Sequence, residues 1–548
     1  MDVLSLWRSP LDRVAIGQAK LLHDRQPRCS SIGYGEDFSA MTIYNFGHYV
    51  PMGVPPDTGL TNMFHDMTMA SPVGGRAFVP QKSFPVQADS NGFKVPDQCD
   101  MDGSGGGGIL EGTSGSAFFH FVITPVGPGN SIFLNCNVSG HTAGGMYFRS
   151  LSFQWGASTE PTDTCIHAVV WNTRAINCTF TDCPCAFNAQ NLTCTLEQCT
   201  INYTASAPTG TTAVVLGGQQ WGVIGPGQFA QTSPGSGGAT GCTCISIESA
   251  EHPVVSDMQI YEWTTGIDFS QMDGTRFAHI TNCEIECWQT ALNIQLSSDL
   301  SAITAGIKVT SCVLAKASDS TDDLNAVVNI DARGSSNNGL LNDIALIDCT
   351  VCNLALAPLL SPQHGLAITS GSNIRIIGGT YSNNGPGGGA GIAIIGACSD
   401  VQIIGVNLQP SYPGASNVNN QNYALLVSES PIGPVVVSGC DMTGYTGSPV
   451  SVTGTPSELL INDCPGYNDR STALSATAGM LTTGVSAATS SSPYFGPSVI
   501  IWSGTGLVTL NVFGGSITSS FGIVFLPTPY DLFHFSPVPP STFLWIGK

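Results

Sequence analysis

The sequence predicts an all-β fold: a right-handed parallel β-helix with a capping helix at its N-terminal end and a small β-sandwich at its C-terminal end. Three observations lead there. Charged residues make up only 10 % of the 548 residues while glycine contributes 64, against roughly 25 % charged in an average soluble protein, so there is little with which to solvate the outer faces of helices. Apolar positions alternate in short runs bounded by Gly, Pro, Asn and Asp, which is the pattern of strands and turns. Finally, the chain repeats itself. "ITNCEIECWQTALNIQ" (280–295) lies without a gap over "VSDMQIYEWTTGIDFS" (255–270), matching Met258 with Cys283, Ile260 with Ile285, Trp263 with Trp288, Ile267 with Leu292 and Phe269 with Ile294.

A unit of about 25 residues that cannot bury both faces of its own strands, and stacks only on its neighbours, defines a solenoid. Further rungs read "VTSCVL" (309–314), "ALIDCTV" (345–351), "IRIIGGTY" (374–381), "VQIIGVNL" (401–408), "VVVSGCDM" (435–442) and "LLINDCPG" (459–466). Coils stack about 4.8 Å apart, so equivalent residues form ladders. Asn135-Cys136, Asn177-Cys178, Asn282-Cys283, Asp348-Cys349 and Asp463-Cys464 share one format. It is read as an inward column of free thiols behind a turn residue whose short polar side chain serves the turn backbone. An odd total of 19 cysteines argues against a full disulfide framework. "CPC" (183–185) and "CTVC" (349–352) lack a well-spaced second pair, so no metal and no cofactor is expected.

A solenoid must cover its ends. At the N-terminal end a helix is expected over about 58–69, followed by "GGRAFVP" (74–80) and the Gly-rich "VPDQCDMDGSGGGGILEG" (95–112). This order of capping helix, Gly-Gly, strand and Gly-rich turn resembles the pectin-lyase-like β-helix proteins over roughly residues 45 to 465. The acidic run common upstream in that family is reduced here to "PPDTG" (55–59). After "INDCPGYNDRS" (461–471) the composition turns Ser/Thr/Ala-rich, and "SVIIWSGTGLVTLNVFGGSITSSFGIVFLPTPYDLFHF" then reads as four or five antiparallel strands. That junction, with its aromatic tail, resembles the C-terminal ends of bacteriophage tailspike-type proteins. The expected organisation is an arm or cap at 1–45, the β-helix at 46–470, a linker at 471–489 and a strand module, suited to trimerisation, at 490–548.

The net charge of −21, from 38 acidic against 17 basic residues, excludes a protein that tracks nucleic-acid phosphates. No apolar run approaches the roughly 20 residues of a membrane span, and "MDVLSLWRSPLDRVAIGQAK" carries no secretory apolar core. No membrane insertion and no export signal are therefore expected.

Candidate chemistry concentrates on the repeated strands. Alternation turns Cys283 and Ile285 inward and Glu284 and Glu286 outward, with Cα atoms about 6.6 Å apart. That is near the lower end of the roughly 6.5–9.5 Å between the carboxyl groups of an inverting glycosidase. On the neighbouring coil Gln259 is expected beside Glu284 and Tyr261 beside Glu286. Glu262 comes next, and Trp263 is expected to stack over Trp288, either structurally or as a sugar platform. Outward acids also do nothing more than solvate a face in many strands. Asp268, with Asn293 as its ladder neighbour, and Asp273 and Arg276 of "SQMDGTRF" supply further candidates, with Glu248 and Glu251 nearby. Asp319, Asp322 and Asp323 miss the EF-hand spacing, and His167, His252 and His279 are isolated in sequence.

Lyase chemistry on an acidic glycan needs cations, and only Arg149, Arg174 and Arg276 are central. The reading that emerges is a tailspike-like protein of a virion tail or surface. It would be homotrimeric, attached to other tail proteins through its N-terminal arm, and would bind, and with carboxylate catalysis hydrolyse, a bacterial surface polysaccharide. The alternative is a non-catalytic structural or adhesive β-helix of a virion or cell surface, with an extracellular location.

Overall fold

The computed structural model describes residues 42–467 except positions 71–72, 81, 104–120, 127–129, 137–144, 157–159, 170–171, 191–192, 204–207, 219–220, 232–240, 271–273, 297–302, 317–325, 355–362, 386–387, 412–419, 429–430, 454–455 and 457; beyond these it describes the backbone of the strands within 490–547. The expected linker at 471–489 and all but the last residues of the expected arm lie outside the described residues, as do Asp273, Asp319, Asp322 and Asp323.

The chain is a parallel β-helix. One face is a 15-stranded sheet running from Ile43–Asn45 to Glu458–Asn462, each strand pairing in parallel with the equivalent strand of the next coil. The remaining strands join into a 22-stranded sheet that wraps a corner and so supplies two more faces. Met258–Asp268 and Glu284–Gln295 run through that corner as single long strands, pairing on one side with Gly227–Gln231 and Val313–Lys316 and on the other with Thr243–Glu248 and Ala326–Asp331. Because Ile43–Asn45 already pairs with Gly75–Phe78, the stack begins just before residue 46.

Period-2 alternation builds the core. One interior column runs Phe84, Phe121, Phe153, Phe180, Ile201, Phe229, Ile260, Ile285, Leu314, Val351, Tyr381 in unbroken register, and every member is buried. Burying each such side chain contributes about 1.5–3 kcal/mol. Phe121, Phe153 and Phe180 stack ring on ring, at 5.8 Å between Phe121 and Phe153 and 5.1 Å between Phe153 and Phe180.

The capping helix is Pro56–Met69, with Pro at its first turn and Leu60, Met63, Phe64 and Met67 on the buried stripe. The i, i+3, i+4, i+7 spacing turns that stripe onto the open end of the core, where Met67 Sδ lies 3.8 Å from Cys99 Sγ. Gly74 follows at φ +97°, and a Cβ there would stand 2.4 Å from the Asp97 carbonyl oxygen, which is why the helix-to-strand junction needs glycine.

The cysteine ladder is present and wider than the Asn/Asp-Cys format. After most strands of the 15-stranded sheet comes one residue in the left-handed region, such as Asn177 (φ 51°), Gln198 (54°), Asn282 (53°), Ser311 (53°), Asp348 (52°) and Asp463 (50°). Then comes an inward side chain: Cys178, Cys199, Cys283, Cys312, Cys349 and Cys464, with Cys440 following Gly439. Each thiol contacts the carbonyl two residues back, and most also reach one on the preceding coil. Cys283 Sγ, for example, lies 3.3 Å from Thr281 O and 3.6 Å from Val255 O. Cysteine fits because it is small and apolar yet carries a weak donor. Cys136 is the exception to the expected column: it follows Ile132–Asn135 on another face and its amide donates to His167 O. The 18 described cysteines are all free and buried. Cys349 and Cys352 point to opposite sides of their strand, since Val351 between them is inward. Among the described residues no group of three or more His, Cys, Asp or Glu is placed to hold a metal.

At the C-terminal end, Ser498–Val512, Gly515–Leu526, Leu532–Ser536, Thr542–Gly547 and Ser490–Ser491 form one five-stranded antiparallel sheet. The antiparallel strands match expectation, whereas the described residues contain one sheet there and not the two of a sandwich.

Candidate functional site

The repeated pair of strands is in register at both ends and out of register in the middle. Gln259 pairs with Glu284, Ile260 with Ile285 and Tyr261 with Glu286, as the ungapped match requires; then Trp263 pairs with Cys287; then Thr265 pairs again with Thr290, Ile267 with Leu292 and Asp268 with Asn293. Glu262 is therefore an extra residue on the first strand, and the second strand restores the count between Cys287 and Thr290. Such bulges re-aim side chains and concentrate beside active sites.

The expected Trp263–Trp288 stack is thereby overturned. Trp263 is fully buried, donates its indole N–H to Phe229 O at 3.2 Å and packs edge-on against Tyr203 with ring centroids 5.4 Å apart. It is a core residue and offers no face to a ligand. Trp288 is half-buried on the outside, and its indole acts on the Glu262 carboxyl.

Glu262 sits at φ +66°, a conformation that is uncommon for a residue with a Cβ and is retained where the surroundings enforce it. Its Oε2 is buried without a hydrogen-bond partner among the described residues. Burial pushes its carboxyl above the ordinary carboxylate range, and the Trp288 indole opposes that shift. Glu286, half-buried beside Tyr261, is pushed up chiefly by burial and further by the charges of Glu262 and Glu284. Three carboxyls thus converge on two adjacent coils, flanked by Gln259, Tyr261 and Trp288. A carboxyl held protonated by burial next to other carboxylates is how a general acid and an anionic partner are produced on one surface.

The other sequence candidates lie elsewhere. Asp268 does point outward with Asn293 beside it, but on the next face beyond the corner. Its Oδ1 accepts from Asn293 Nδ2 at 2.9 Å and from the Ser270 amide at 3.0 Å, and Asn329 Nδ2 donates to Asn293 Oδ1 at 2.9 Å. This is a buried amide ladder that ties successive coils together. Glu248 lies near it, accepting from Ser246 Oγ at 3.1 Å. Arg276 is exposed in the turn before His279–Thr281, bridging Glu251 and Ala305 on the flanking coils, away from the three glutamates. Arg149 and Arg174 flank the Tyr147 ring on the 15-stranded sheet, 5.0 and 5.7 Å from its centroid, and Arg149 Nε donates to Asp100 at 3.1 Å. Arg76 joins that network through Asp100 and Asp102. Sequence reasoning found Glu262 but missed that it is a bulge, because nothing in the letters marks which of two aligned tryptophans turns inward.

No protein-family model matches the chain, and no curated protein matches it. Among solved structures it is similar to a variant of the tailspike protein of E. coli bacteriophage HK620 in complex with a pentasaccharide, at 8 % identity and TM-score 0.47 over 92 % of this chain and 93 % of that one. It is also similar to tailspike protein 3 of bacteriophage CBA120, at 9 % identity and TM-score 0.45 over 84 % of this chain and 69 % of that one. A third likeness is to DFA-IIIase from Arthrobacter chlorophenolicus A6 in complex with GF2, at 13 % identity and TM-score 0.41 over 76 % of this chain and 99 % of that one.

Proposed function

We propose that the protein is a tailspike-like glycan-binding β-helix of a virion tail or surface, and that it hydrolyses a bacterial surface polysaccharide at Glu286, Glu284 and Glu262. The observation that carries this reading is the bulge: besides turning Trp263 into the core, it sets Glu262 at a positive φ with a buried carboxylate oxygen beside Glu286. Glu286 is the proton donor to the glycosidic oxygen. Glu284, two residues away on the same strand, activates the attacking water. Burial, and after it the charge of Glu262, pushes the Glu286 carboxyl up toward the protonated form a proton donor needs, while Trp288, Tyr261 and Gln259 orient the sugars. A glycan is the substrate class because the surface offers acids, an amide and aromatic rings, and Arg76 and Arg149 are engaged with Asp100 on the other sheet rather than beside the glutamates.

In this reading three chains assemble through the C-terminal strand module and the N-terminal arm mounts the spike on other tail proteins. The experiment is incubation with a panel of purified capsular and O-antigen polysaccharides, following new reducing ends. Hydrolysis lost in Glu286→Gln supports the assignment. Binding without new ends in every case makes the protein the non-catalytic adhesin of the alternative reading, and unsaturated products make it a lyase. Light scattering tests the trimer, and a monomer removes the spike assembly.

A further inference from the structure

A second surface, at a different turn of each coil, is built against the local preferences of the fold. At or just inside the start of many strands of the 15-stranded sheet one residue takes the left-handed region. In several coils it is one of the types that tolerate that conformation: Asn172 (φ 58°), Gly306 (71°), Asp343 (55°), Asn373 (51°) and Asp400 (53°). The register that pairs Val223, Val254, His279 and Lys308, and continues through Ala345, Arg375 and Gln402, puts Trp221, His252 and Phe277 in line with these positions. His252 (φ 56°) and Phe277 (54°) hold the same left-handed backbone. A bulky side chain there is strained, and at Phe277, which is 49 % exposed, the strain is not repaid by burial; Trp221, in line with them on an extended backbone, is 63 % exposed.

Instead the three rings pack on one another along the coil axis. Ring centroids are 5.8 Å apart between Trp221 and His252, and 5.0 Å apart between His252 and Phe277, the latter pair stacked at 15°. The next coil is kept bare. A Cβ on Gly306 would stand 2.9 Å from Phe277 Cδ1, so glycine leaves room for the ring to lie flat. Beside the strip lie half-buried Val223 and Val254, with exposed His279 and Lys308 further along, and the turn carries Glu251 and Arg276, which bridge adjacent coils. Local charge is thus balanced within a chain of net charge −21.

We infer that Trp221, His252 and Phe277 form a platform for a pyranose polysaccharide lying along the coil axis, at a turn separate from the three glutamates. A pyranose presents an apolar face of C–H groups that packs on the electron-rich face of an aromatic ring, and exposed aromatic stacks with polar rims mark ligand surfaces. One ring per coil gives a repeating contact. Glu251 and Arg276 supply hydrogen bonds to the hydroxyls at its edge. The inference shares only the ligand class with the proposed hydrolysis, and the platform anchors without cleaving.

The test uses the full chain carrying Glu286→Gln, so that binding is read without turnover, with purified O-antigen polysaccharides and dextran as probes in affinity electrophoresis. Trp221→Ala and Phe277→Asn are compared with that parent. Asn is the residue type the turn itself prefers, so Phe277→Asn keeps or raises the melting temperature. The expected result is at least a tenfold loss of affinity for one or more of the probes in both variants, with melting temperature and molar mass unchanged or, for Phe277→Asn, a higher melting temperature. Retention equal to the parent in both variants overturns the platform. So does a change in molar mass by light scattering without a change in retention, which makes the strip a contact between subunits. Loss of hydrolysis in Glu286→Gln leaves these outcomes untouched, so the two sites fail separately.

Discussion

Trp263 lies opposite Cys287 and not opposite Trp288, because Glu262 adds a residue to one strand and the next coil restores the count before Thr290. Two tryptophans that align perfectly in sequence therefore occupy opposite sides of the wall. Trp263→Ala is expected to destabilise the chain by about 3–5 kcal/mol, the cost of emptying a large buried aromatic site, whereas Trp288→Ala costs less than half as much and reduces glycan turnover. Urea titrations of both variants, read beside reducing-end assays, check the difference.

Glu286 gives a pH dependence of known sign. Its folded carboxyl is raised above the unfolded value, so its contribution to stability is fully present below the unfolded pKa and is lost as pH rises through the folded one. Glu286→Gln removes that loss. The melting temperature of the variant relative to wild type is expected to climb as pH rises from the ordinary carboxylate range through the raised folded pKa, and glycan cleavage by wild type falls over the same interval as the proton donor ionises. Thermal melts at four or five pH values decide it, and a constant difference would contradict the burial of this group.

Burial shields the thiols, even though hydrogen bonds from Cys312 and Cys464 push Cys283 and Cys440 down. Burial pushes Cys185 up to about 12, and also Cys349 and Cys352, so little thiolate is available to react. Native protein treated with iodoacetamide at pH 8 is expected to leave the 18 described cysteines unmodified by peptide mapping, all of them reacting in guanidinium chloride.

Asn282 reports on the turn ladder. It sits at φ 53° and its side chain donates to Asp257 Oδ1 at 2.5 Å on the preceding coil. Asn282→Ala loses both the tolerant residue type and the bond, for about 1–2 kcal/mol, while Asn282→Gly costs less because glycine accepts the backbone. Chemical denaturation of the pair gives the order.

Much of the architecture was legible because a β-helix writes its register into the chain. Ile260 over Ile285, the capping stripe of Leu60, Met63, Phe64 and Met67, and the thiols of Cys178, Cys283 and Cys349 all follow from period-2 or period-3.6 spacing, which residue types report directly. What was not legible depends on single-residue insertions and backbone conformations. The Glu262 bulge is cancelled within one coil, so it leaves no offset in an alignment, and Asp268 reads as a free acid until the amides of Asn293 and Ser270 are found on it. The exposed strip of Trp221, His252 and Phe277 was hidden because its members are about 25–30 residues apart in the chain and become neighbours only when the coils are stacked. Cys136 shows the converse: a dipeptide identical to the others fell on a different face because its strand ends elsewhere.

The cancellation at Glu262 has a consequence for how such a surface can change. Since the rungs on either side meet in the same alignment whether or not the detour is there, the outward residues of the detour, Glu262, Trp288 and Gln289, can be rewritten without renumbering the partners of any other rung, provided Trp263 and Cys287 stay in the core. A mutation confined to that window alters what the wall presents to its ligand while the stem above and below inherits nothing, which would let ligand preference drift far faster than the scaffold.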